Sequence, residues 1–281
     1  MYSPPDPATT ARMRAHHDHA AAALDIALGG GEFWGWAGRT LGRAGALTGG
    51  RRVWLRLTTA PEAKASGKLW EGNATAEMAF GALGGHRPRL LALHDTNADG
   101  TVYRAELSEH IDAPVISPDP IPRTTVDPLP GWWTDLRGAL DTVAGVATTR
   151  IAVREEYLHR ALPQFLGVRA PDTITWTTAH GDLHWANLTA PALRILDWEG
   201  WGRAPYGYDQ ATLYAYSLHQ PDLATRVRTA FPELGTPTAW AGEATIAAEL
   251  LQTVARGDNA ELAEHLHAWV EQLHACARAS A

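Results

Sequence analysis

Two carboxylates and one carboxamide lie close together in the second half of the chain, in an order that suits metal-assisted phosphoryl transfer. Residues 180–188 read HGDLHWANL and residues 195–199 read ILDWE, so Asp182 precedes Asn187 by five residues and Asp197 follows ten residues later. In that chemistry one carboxylate orients the attacking hydroxyl and receives its proton, while a carboxamide and a second carboxylate hold Mg²⁺ on the nucleotide phosphates. Because Mg²⁺ takes only one or two ligands from the protein, an Asn–Asp pair is sufficient.

This segment resembles the catalytic and metal-binding loops of the aminoglycoside phosphotransferase family, which has a protein-kinase-like fold. The resemblance implies a two-lobed α+β architecture, with a small β-rich N-terminal lobe and a larger, mainly helical C-terminal lobe. It implies that Asp182 is the catalytic carboxylate, that Asn187 and Asp197 bind Mg²⁺, and that His180 braces the loop. Asp209 matches a family aspartate that opens a helix and steadies the loop. ATP is the implied phosphoryl donor, with GTP as an alternative.

The elements that position these groups are predicted from periodicity and from Gly and Pro residues. Asp99-Gly100 is a hairpin signal that joins two strands in the N-terminal part. We expect a helix over 8–28 ended by the glycines at 29–31, two short strands within 32–47, a strand over 52–58, a helix over 73–83, and hairpin strands over 89–94 and 102–106.

The C-terminal part follows a proline-rich segment. Residues 113–130 contain six prolines and no periodicity, which predicts a linker. The predicted domains are therefore a nucleotide-binding lobe over 1–110, a hinge and linker over 111–131, and a catalytic and acceptor-binding lobe over 132–281. Within this last lobe we expect helices over 132–148, 151–165 and most of 209–279, and short strands over 174–178 and 193–196 flanking the catalytic segment.

The phosphate-binding cation departs from the family pattern. The family's third strand carries a lysine that pairs with the phosphates and with a helix glutamate, whereas the matching strand here carries Arg56. Arginine carries a planar guanidinium with several N–H donors and lysine carries a compact ammonium, so the exchange is not conservative. Lys64 and Lys68, in the next segment, are alternative phosphate ligands. Glu77 is the predicted helix partner of Arg56, and Glu71 is the alternative.

Glycines in the predicted strand–turn–strand are candidates for covering the phosphates. Gly35 and Gly38 lie at the turn, and Gly42 and Gly45 follow. They do not spell Gly-x-Gly-x-x-Gly, so ordinary turn glycines are an equal alternative.

A second motif competes for the N-terminal part. Residues 95–106 fit the EF-hand pattern D-x-[DN]-x-[DN]-G-x5-E in full, with Asp95 first and Glu106 last. The segment between Pro88 and the motif is too short for an entering helix, so we favour the hairpin and keep a calcium loop as the alternative.

The charge distribution predicts the kind of acceptor. The net charge is −7, and a basic surface for nucleic acid is not expected. Residues 1–110 contain 12 Lys and Arg against 11 Asp and Glu, whereas residues 111–281 contain 12 against 20. The acidic C-terminal lobe favours a cationic acceptor. By resemblance this is an aminoglycoside or a basic cyclic peptide of the capreomycin and viomycin type, and chain length and Arg56 favour the capreomycin phosphotransferases.

Several acidic residues and one histidine are the predicted acceptor contacts. Glu199, two residues after Asp197, is expected to hold a substrate ammonium. His184 is expected to contact the phosphates or substrate, with packing inside the loop as its alternative. Further acidic residues could extend the acidic wall, although exposed helix charges are their simpler interpretation: Asp258, Glu261 and Glu264.

Two other function classes remain open from the sequence. A metabolic small-molecule kinase of the same fold would share every catalytic residue, and a pseudokinase or calcium-binding module is motivated by Arg56 and by residues 95–106. The chain has one cysteine, no apolar run long enough to span a membrane and no leader-like N-terminus, so we expect a cytoplasmic protein.

Overall fold

The computed structural model describes residues 3–279, which form two compact units. The first unit comprises Met1–Glu77 and Arg87–Asp112, and the second comprises Met78–His86 and Ala113–Ala281. The chain therefore enters the second unit twice, at Met78 and again at Ala113. The proline-rich segment predicted as a linker belongs to the second unit.

An antiparallel sheet of five strands, in the order β1–β2–β3–β5–β4, forms most of the first unit. Because side chains alternate along a strand, Leu55 and Leu57 of β3 are buried in the core with helix α1, and Arg56 lies on the opposite face. The elements are α1 (Pro7–Ala23), β1 (Ile26–Trp34), β2 (Thr40–Leu47), β3 (Arg52–Pro61), α2 (Lys68–Ala79), β4 (Leu90–Ala98) and β5 (Thr101–Glu109).

Helix α1 is shorter than its sequence predicts. The carboxylate of Asp6 caps its first turn by accepting the backbone N–H groups of Ala8 and Thr9. The helix ends at Ala23, and the glycines at 29–31, predicted as its stop, lie inside β1 where the pairing with β2 is interrupted. The prediction to residue 28 is wrong because residues 26–28 pair with β2, and this tertiary pairing overrides local helix propensity.

Helix α2 is displaced from the prediction. It spans Lys68–Ala79, and a 3₁₀ turn over Gly81–His86 replaces its predicted last turn. Asn73, the predicted first residue, lies inside the helix, and the carboxylate of Glu71 accepts the N–H of Gly67 just before the helix start.

The hairpin prediction for residues 89–106 is confirmed, and the calcium loop is wrong. Asp99 and Gly100 both have positive φ, as a type I′ turn requires, and β4 pairs with β5 in antiparallel register. Asp95 forms an ion pair with Arg104 at 2.6 Å, and Glu106 is buried in the next strand. Among the described residues no group of three or more His, Cys, Asp or Glu side chains could hold a metal ion.

The second unit is built around helix α7, most of whose residues are buried. The proline-rich segment packs on this unit, since Ile121 and Val126 are buried and the amide of Gln220 donates to the carbonyls of Pro122 and Thr124. The elements are α3 (Pro130–Ala144), α4 (Glu155–Ala161) continued by a π turn (Leu162–Leu166), β6 (Trp176–Ala179), β7 (Gly202–Pro205), α5 (Tyr208–Ser217), α6 (Pro221–Ala230), α7 (Trp240–Ala255) and α8 (Ala263–Ala279).

Four elements of this unit differ from the sequence prediction. Helix α3 ends at Ala144 and α4 begins at Glu155, so both are shorter than expected. Residues 193–196 form no strand, because they make only the single bridge Leu188–Ile195. Strand β7 was not predicted, since its four residues show no alternation and become a strand only by pairing with β6. Residues 280 and 281 of the predicted lobe lie outside the described residues.

None of the helices in the described part of the chain combines the length and the apolar character needed to cross a membrane.

His17 gives a testable link between burial and pH. Its ring is fully buried in the first unit, and Nε2 donates to the carbonyl of Leu55 at 3.0 Å. Burial lowers the pKa of His17 below its usual value of 6.5, so the unfolded chain binds more protons than the folded chain as the pH falls below about 6.5. Stability supplied by neutral His17 is therefore lost on acidification.

We expect His17→Gln, whose amide can still donate to Leu55, to lose less unfolding free energy than wild type between pH 7.5 and pH 5.5. Urea denaturation at the two pH values measures this difference. An equal loss in both proteins would contradict the assignment.

Candidate active site

Residues 180–201, which contain the predicted catalytic and metal-binding groups, form one loop closed at its base by two strands. Strand β6 leads into the loop and β7 leaves it, and the two pair in antiparallel register from Trp176 with Pro205 to Ala179 with Gly202. This closure places both predicted carboxylates between fixed ends, although 15 residues separate them in sequence.

The start of the loop is held by one buried carboxylate. Asp209 is the second residue of α5 and only 4% exposed. Its Oδ2 accepts the backbone N–H of His180 at 2.6 Å and its Oδ1 accepts that of Gly181 at 2.9 Å. Burial raises the pKa of Asp209 against the opposing effect of these two hydrogen-bond donors. Asp209 thus holds the start of the loop from the first turn of α5, in the position that the family resemblance implies.

Gly181 is required at its position by two features of the backbone. Its φ of +86° lies in the left-handed region, which side-chain-bearing residues rarely adopt. A Cβ there would also lie 2.5 Å from the carbonyl oxygen of Gly200, at the other end of the loop. The residue before Asp182 therefore lets the two ends of the loop approach each other closely.

Apolar residues anchor the loop so that the polar residues between them face outward. Leu183, Trp185 and Leu188 are fully buried. The indole N–H of Trp185 donates to the hydroxyl of Ser217 in α5 at 2.9 Å. Because these anchors flank the polar groups, the side chain of Asp182 remains 51% exposed while its backbone is held in place.

Asp182 lies among hydrogen-bonding neighbours that favour its ionised form. His184 Nε2 is 3.5 Å from Asp182 Oδ1, and Asn187 Nδ2 is 3.5 Å from Oδ2. Partial desolvation would raise the pKa of Asp182, but the hydrogen bonds from His184 and Asn187 outweigh this effect. The pKa of Asp182 is therefore below its ordinary value, and the group is a carboxylate at neutral pH.

The orientation of Asn187 fits a metal ligand. Its Nδ2 donates to the backbone carbonyl of Asp182 at 2.9 Å, which directs the amide oxygen away from that bond as an acceptor. The backbone carbonyl of Asn187 accepts the N–H of Leu196 at 2.8 Å, so Asn187 lies beside the segment that carries Asp197. Asp197 is exposed and has a φ of +57°. An amide oxygen and a carboxylate on adjacent segments are the donors that Mg²⁺ prefers.

His180 lies inside the loop and does not face solvent. It is fully buried, its Nε2 donates to the carbonyl of Leu196 at 2.9 Å, and its ring packs edge-on against Trp198. Burial lowers the pKa of His180, so the ring stays neutral and keeps this hydrogen bond. His180 thus connects the segment of Asp182 to that of Asp197, which fits the predicted brace.

The two predicted substrate contacts have different surroundings. His184 is mostly buried, packs edge-on against Tyr216, and lies beside Asp182 in the loop. Glu199 is partly exposed in a short 3₁₀ turn after Asp197, and its backbone carbonyl accepts from Arg150 at 3.4 Å. Their roles toward a substrate stay predictions.

The three C-terminal acidic residues weighed as an extension of an acidic wall differ in their surroundings. Glu261 forms an ion pair with Arg123 at 2.6 Å, whereas Asp258 and Glu264 are exposed. An acidic residue that the sequence analysis missed lies deeper, where Tyr208 at the start of α5 donates its hydroxyl to Glu249 of α7 at 2.7 Å. The sequence signal for Glu249 was weak, because it lies in an apolar helix.

Arg56, the predicted phosphate ligand, has a different partner from the one expected. Its Nη1 donates to Glu106 Oε2 at 3.1 Å. The predicted pairing with Glu77 is wrong, because the Glu77 carboxylate accepts from the side chains of Arg87 and Arg89 and from a backbone N–H of β4. These hydrogen bonds hold Glu77 against the residues that follow α2.

The other predicted nucleotide-binding residues lie at exposed or turn positions of the first unit. Lys64 and Lys68 are exposed at the end of a 3₁₀ turn and at the start of α2. Gly35 and Gly38 lie in the connection between β1 and β2, as predicted. Gly38 has a φ of +66°, and a Cβ there would lie 2.7 Å from Pro5, so local packing already requires this glycine. Their contact with phosphates stays a prediction.

No protein-family model matches this sequence, and no curated protein is detectably similar to it in sequence. Solved structures do match. The amicoumacin kinase hAmiN, in complex with AMP-PNP, Ca²⁺ and Ami, has a TM-score of 0.60 at 12% identity and covers 95% of each chain. A thermostable mutant of aminoglycoside phosphotransferase APH(4)-Ia has a TM-score of 0.58 at 13% identity, covering 94% of this chain and 99% of its own.

A choline/ethanolamine kinase family protein from Mesorhizobium loti is also similar, with a TM-score of 0.51 at 16% identity over 92% of this chain and 94% of its own. At these identities the similarity shows the fold. The chain therefore has the kinase-like α+β fold of the aminoglycoside phosphotransferases, and the fold class predicted from residues 180–199 is confirmed.

Replacing Asp209 tests whether the loop depends on it. We expect Asp209→Ala to leave two buried backbone N–H groups without an acceptor and to destabilise the second unit by about 2–4 kcal/mol. Asp222→Ala is the matched control, because Asp222 is the second residue of α6 and is exposed. Chemical denaturation of both variants measures the difference, and equal stabilities would contradict the role of Asp209.

Proposed function

We propose that this chain is an O-phosphotransferase that moves the γ-phosphoryl group of ATP to a hydroxyl of a cationic small molecule. One observation carries the proposal, namely that Asp182 is an exposed, ionised carboxylate whose backbone carbonyl is hydrogen-bonded by Asn187. This arrangement joins the group that handles a hydroxyl proton to the group that would bind the metal on the phosphates.

The roles of the residues follow from this arrangement. Asp182 orients the acceptor hydroxyl and takes its proton as the new P–O bond forms and the bond to the β-phosphate oxygen breaks, with ADP leaving. Asn187 and Asp197 would hold Mg²⁺, which when bound neutralises charge on the phosphates. Arg56 would bind phosphate oxygens through its planar fork of N–H donors, and Gly35 and Gly38 would cover the phosphates.

The nucleotide and metal classes are supported by one structural neighbour. The amicoumacin kinase of the same fold is described with AMP-PNP and Ca²⁺. ATP with Mg²⁺ is the corresponding pair that we propose here, and GTP is the alternative donor.

The acceptor class rests on charge and on the second unit's acidic groups. Residues 111–281 carry 20 Asp and Glu against 12 Lys and Arg. Glu199 lies two residues beyond Asp197, where a carboxylate can bind a substrate ammonium. We propose a capreomycin- or viomycin-type cyclic peptide or an aminoglycoside, with His184 as a further contact. Phosphorylation would lower the positive charge of such an antibiotic and confer resistance.

A metabolic kinase is the second candidate. The similarity to the choline/ethanolamine kinase family protein favours it, because that protein shares this fold over most of both chains. Choline and ethanolamine are also cationic alcohols, so the same acidic unit would suit them. Only the identity of the phosphorylated acceptor separates the two candidates.

An acceptor panel tests the reaction and the substrate class together. We expect capreomycin, viomycin or an aminoglycoside to gain one phosphate, about 80 Da, when incubated with the chain, ATP and Mg²⁺. Intact-mass spectrometry detects the product, with choline and neutral sugars as comparison acceptors.

Asp182→Asn should abolish the product because the amide cannot accept the hydroxyl proton. A product on choline alone would select the metabolic kinase, and an active Asp182→Asn variant would remove Asp182 from the reaction.

Asp197 is tested by the metal requirement. We expect Asp197→Asn to raise the Mg²⁺ concentration for half-maximal activity by about tenfold or more, the effect of weakening one interaction by roughly 1.4 kcal/mol. Asp172→Asn is the control, since Asp172 is exposed outside the loop. Mg²⁺ titration of the initial rate gives the comparison, and identical titration curves would count against Asp197 as a ligand.

A further inference from the structure

We propose that Glu106 of β5 is the positioning residue for Arg56, so that the anion which orients the phosphate-binding cation lies on the sheet and not on helix α2. The inference rests on the proposed function. It assigns a role to the last residue of the segment 95–106, whose sequence matches the EF-hand calcium-loop pattern.

The sheet register places the two residues side by side. Strands β3 and β5 are antiparallel neighbours, and Arg56 lies directly opposite Glu106. The distance from Arg56 Nη1 to Glu106 Oε2 is 3.1 Å, within the range of a charge-assisted hydrogen bond. Directly opposite residues have the closest side chains in a sheet, so this pairing needs no movement of a helix.

Helix α2 contributes an amide to the same carboxylate. Asn73 Nδ2 donates to Glu106 Oε2 at 2.7 Å, so one carboxylate oxygen accepts from both Arg56 and Asn73. The amide adds no charge that would compete for Arg56. It does fix the carboxylate, and hence the direction in which Arg56 extends.

Burial makes Glu106 dependent on its partners. Its side chain is 6% exposed, and the side chain of Arg56 is 19% exposed. A buried carboxylate is costly unless it is paired and hydrogen-bonded, and Arg56 and Asn73 meet that need. Arginine suits this position because a planar fork with five N–H donors can bind a carboxylate and a phosphate together, which gives a physical reason for Arg56 where the family has lysine.

The helix acid predicted for this role is engaged elsewhere. Glu77 accepts from Arg87, from Arg89 and from the backbone N–H of Leu90. Its carboxylate therefore anchors the chain that leads into β4. Because Glu77 binds other partners and Glu106 lies opposite Arg56, the counter-ion of Arg56 lies on strand β5 and not on helix α2.

Nucleotide binding in the absence of an acceptor tests the inference. Calorimetry with AMP-PNP and Mg²⁺ would compare the full wild-type chain with Glu106→Gln, which keeps the shape and removes the charge. We expect binding to weaken about tenfold and the KM for ATP to rise by a similar factor, with a smaller change in kcat. Glu109→Gln is the control, because Glu109 lies on the same strand and pairs with the exposed Arg51.

Coupling to Arg56 separates positioning from a general loss of stability. In the background of Arg56→Ala, adding Glu106→Gln should cause little further loss of affinity. Asn73→Ala, a milder change, should weaken binding in the same direction and serves if Glu106→Gln does not fold.

Three outcomes would overturn the inference. They are a folded Glu106→Gln variant that binds AMP-PNP like wild type, additive losses in the double variant, and full affinity in a folded Asn73→Ala variant. A wild-type chain that binds no AMP-PNP would overturn the proposed function as well.

Discussion

The site depends on one buried carboxylate that accepts two successive backbone N–H groups. Asp209 ties His180 and Gly181 to the start of α5. The backbone leading into the next residue, Asp182, is therefore held in place, while the side chain of Asp182 remains exposed. Burial destabilises the charged form of Asp209, and the two donors offset part of this cost. This tie supports the close approach of Gly181 to Gly200.

The rest of the loop holds several further polar groups in fixed positions near Asp182. Strands β6 and β7 close its base, and buried side chains between the polar residues fix which groups face outward. His180 bonds to the carbonyl of Leu196, so the Asp182 and Asp197 segments are held together from inside. In the first unit the sheet positions a charged pair, because the register of β3 and β5 places Glu106 directly opposite Arg56.

The loop that carries Asp182, Asn187 and Asp197 could be singled out from the sequence because these groups lie close together along the chain and resemble a known family motif. The hairpin over Asp99-Gly100 was predictable for the same local reason. The pairing of strands that are distant in sequence could not be predicted. The end of α1, the existence of β7 and the partner of Arg56 each depend on which strand lies alongside, and no local pattern encodes that register. Glu106 was visible only as the end of a calcium-like motif, whereas its pairing with Arg56 depends on the strand that lies alongside.

Phosphorus NMR of the wild-type chain with ATP, Mg²⁺ and the acceptor panel tests the central claim most directly. The account predicts that ATP signals give way to ADP and a new phosphomonoester on a cationic acceptor, and that Asp182→Asn leaves ATP unchanged. ATP that persists with every acceptor, or that is consumed equally by Asp182→Asn, would contradict phosphoryl transfer at this loop.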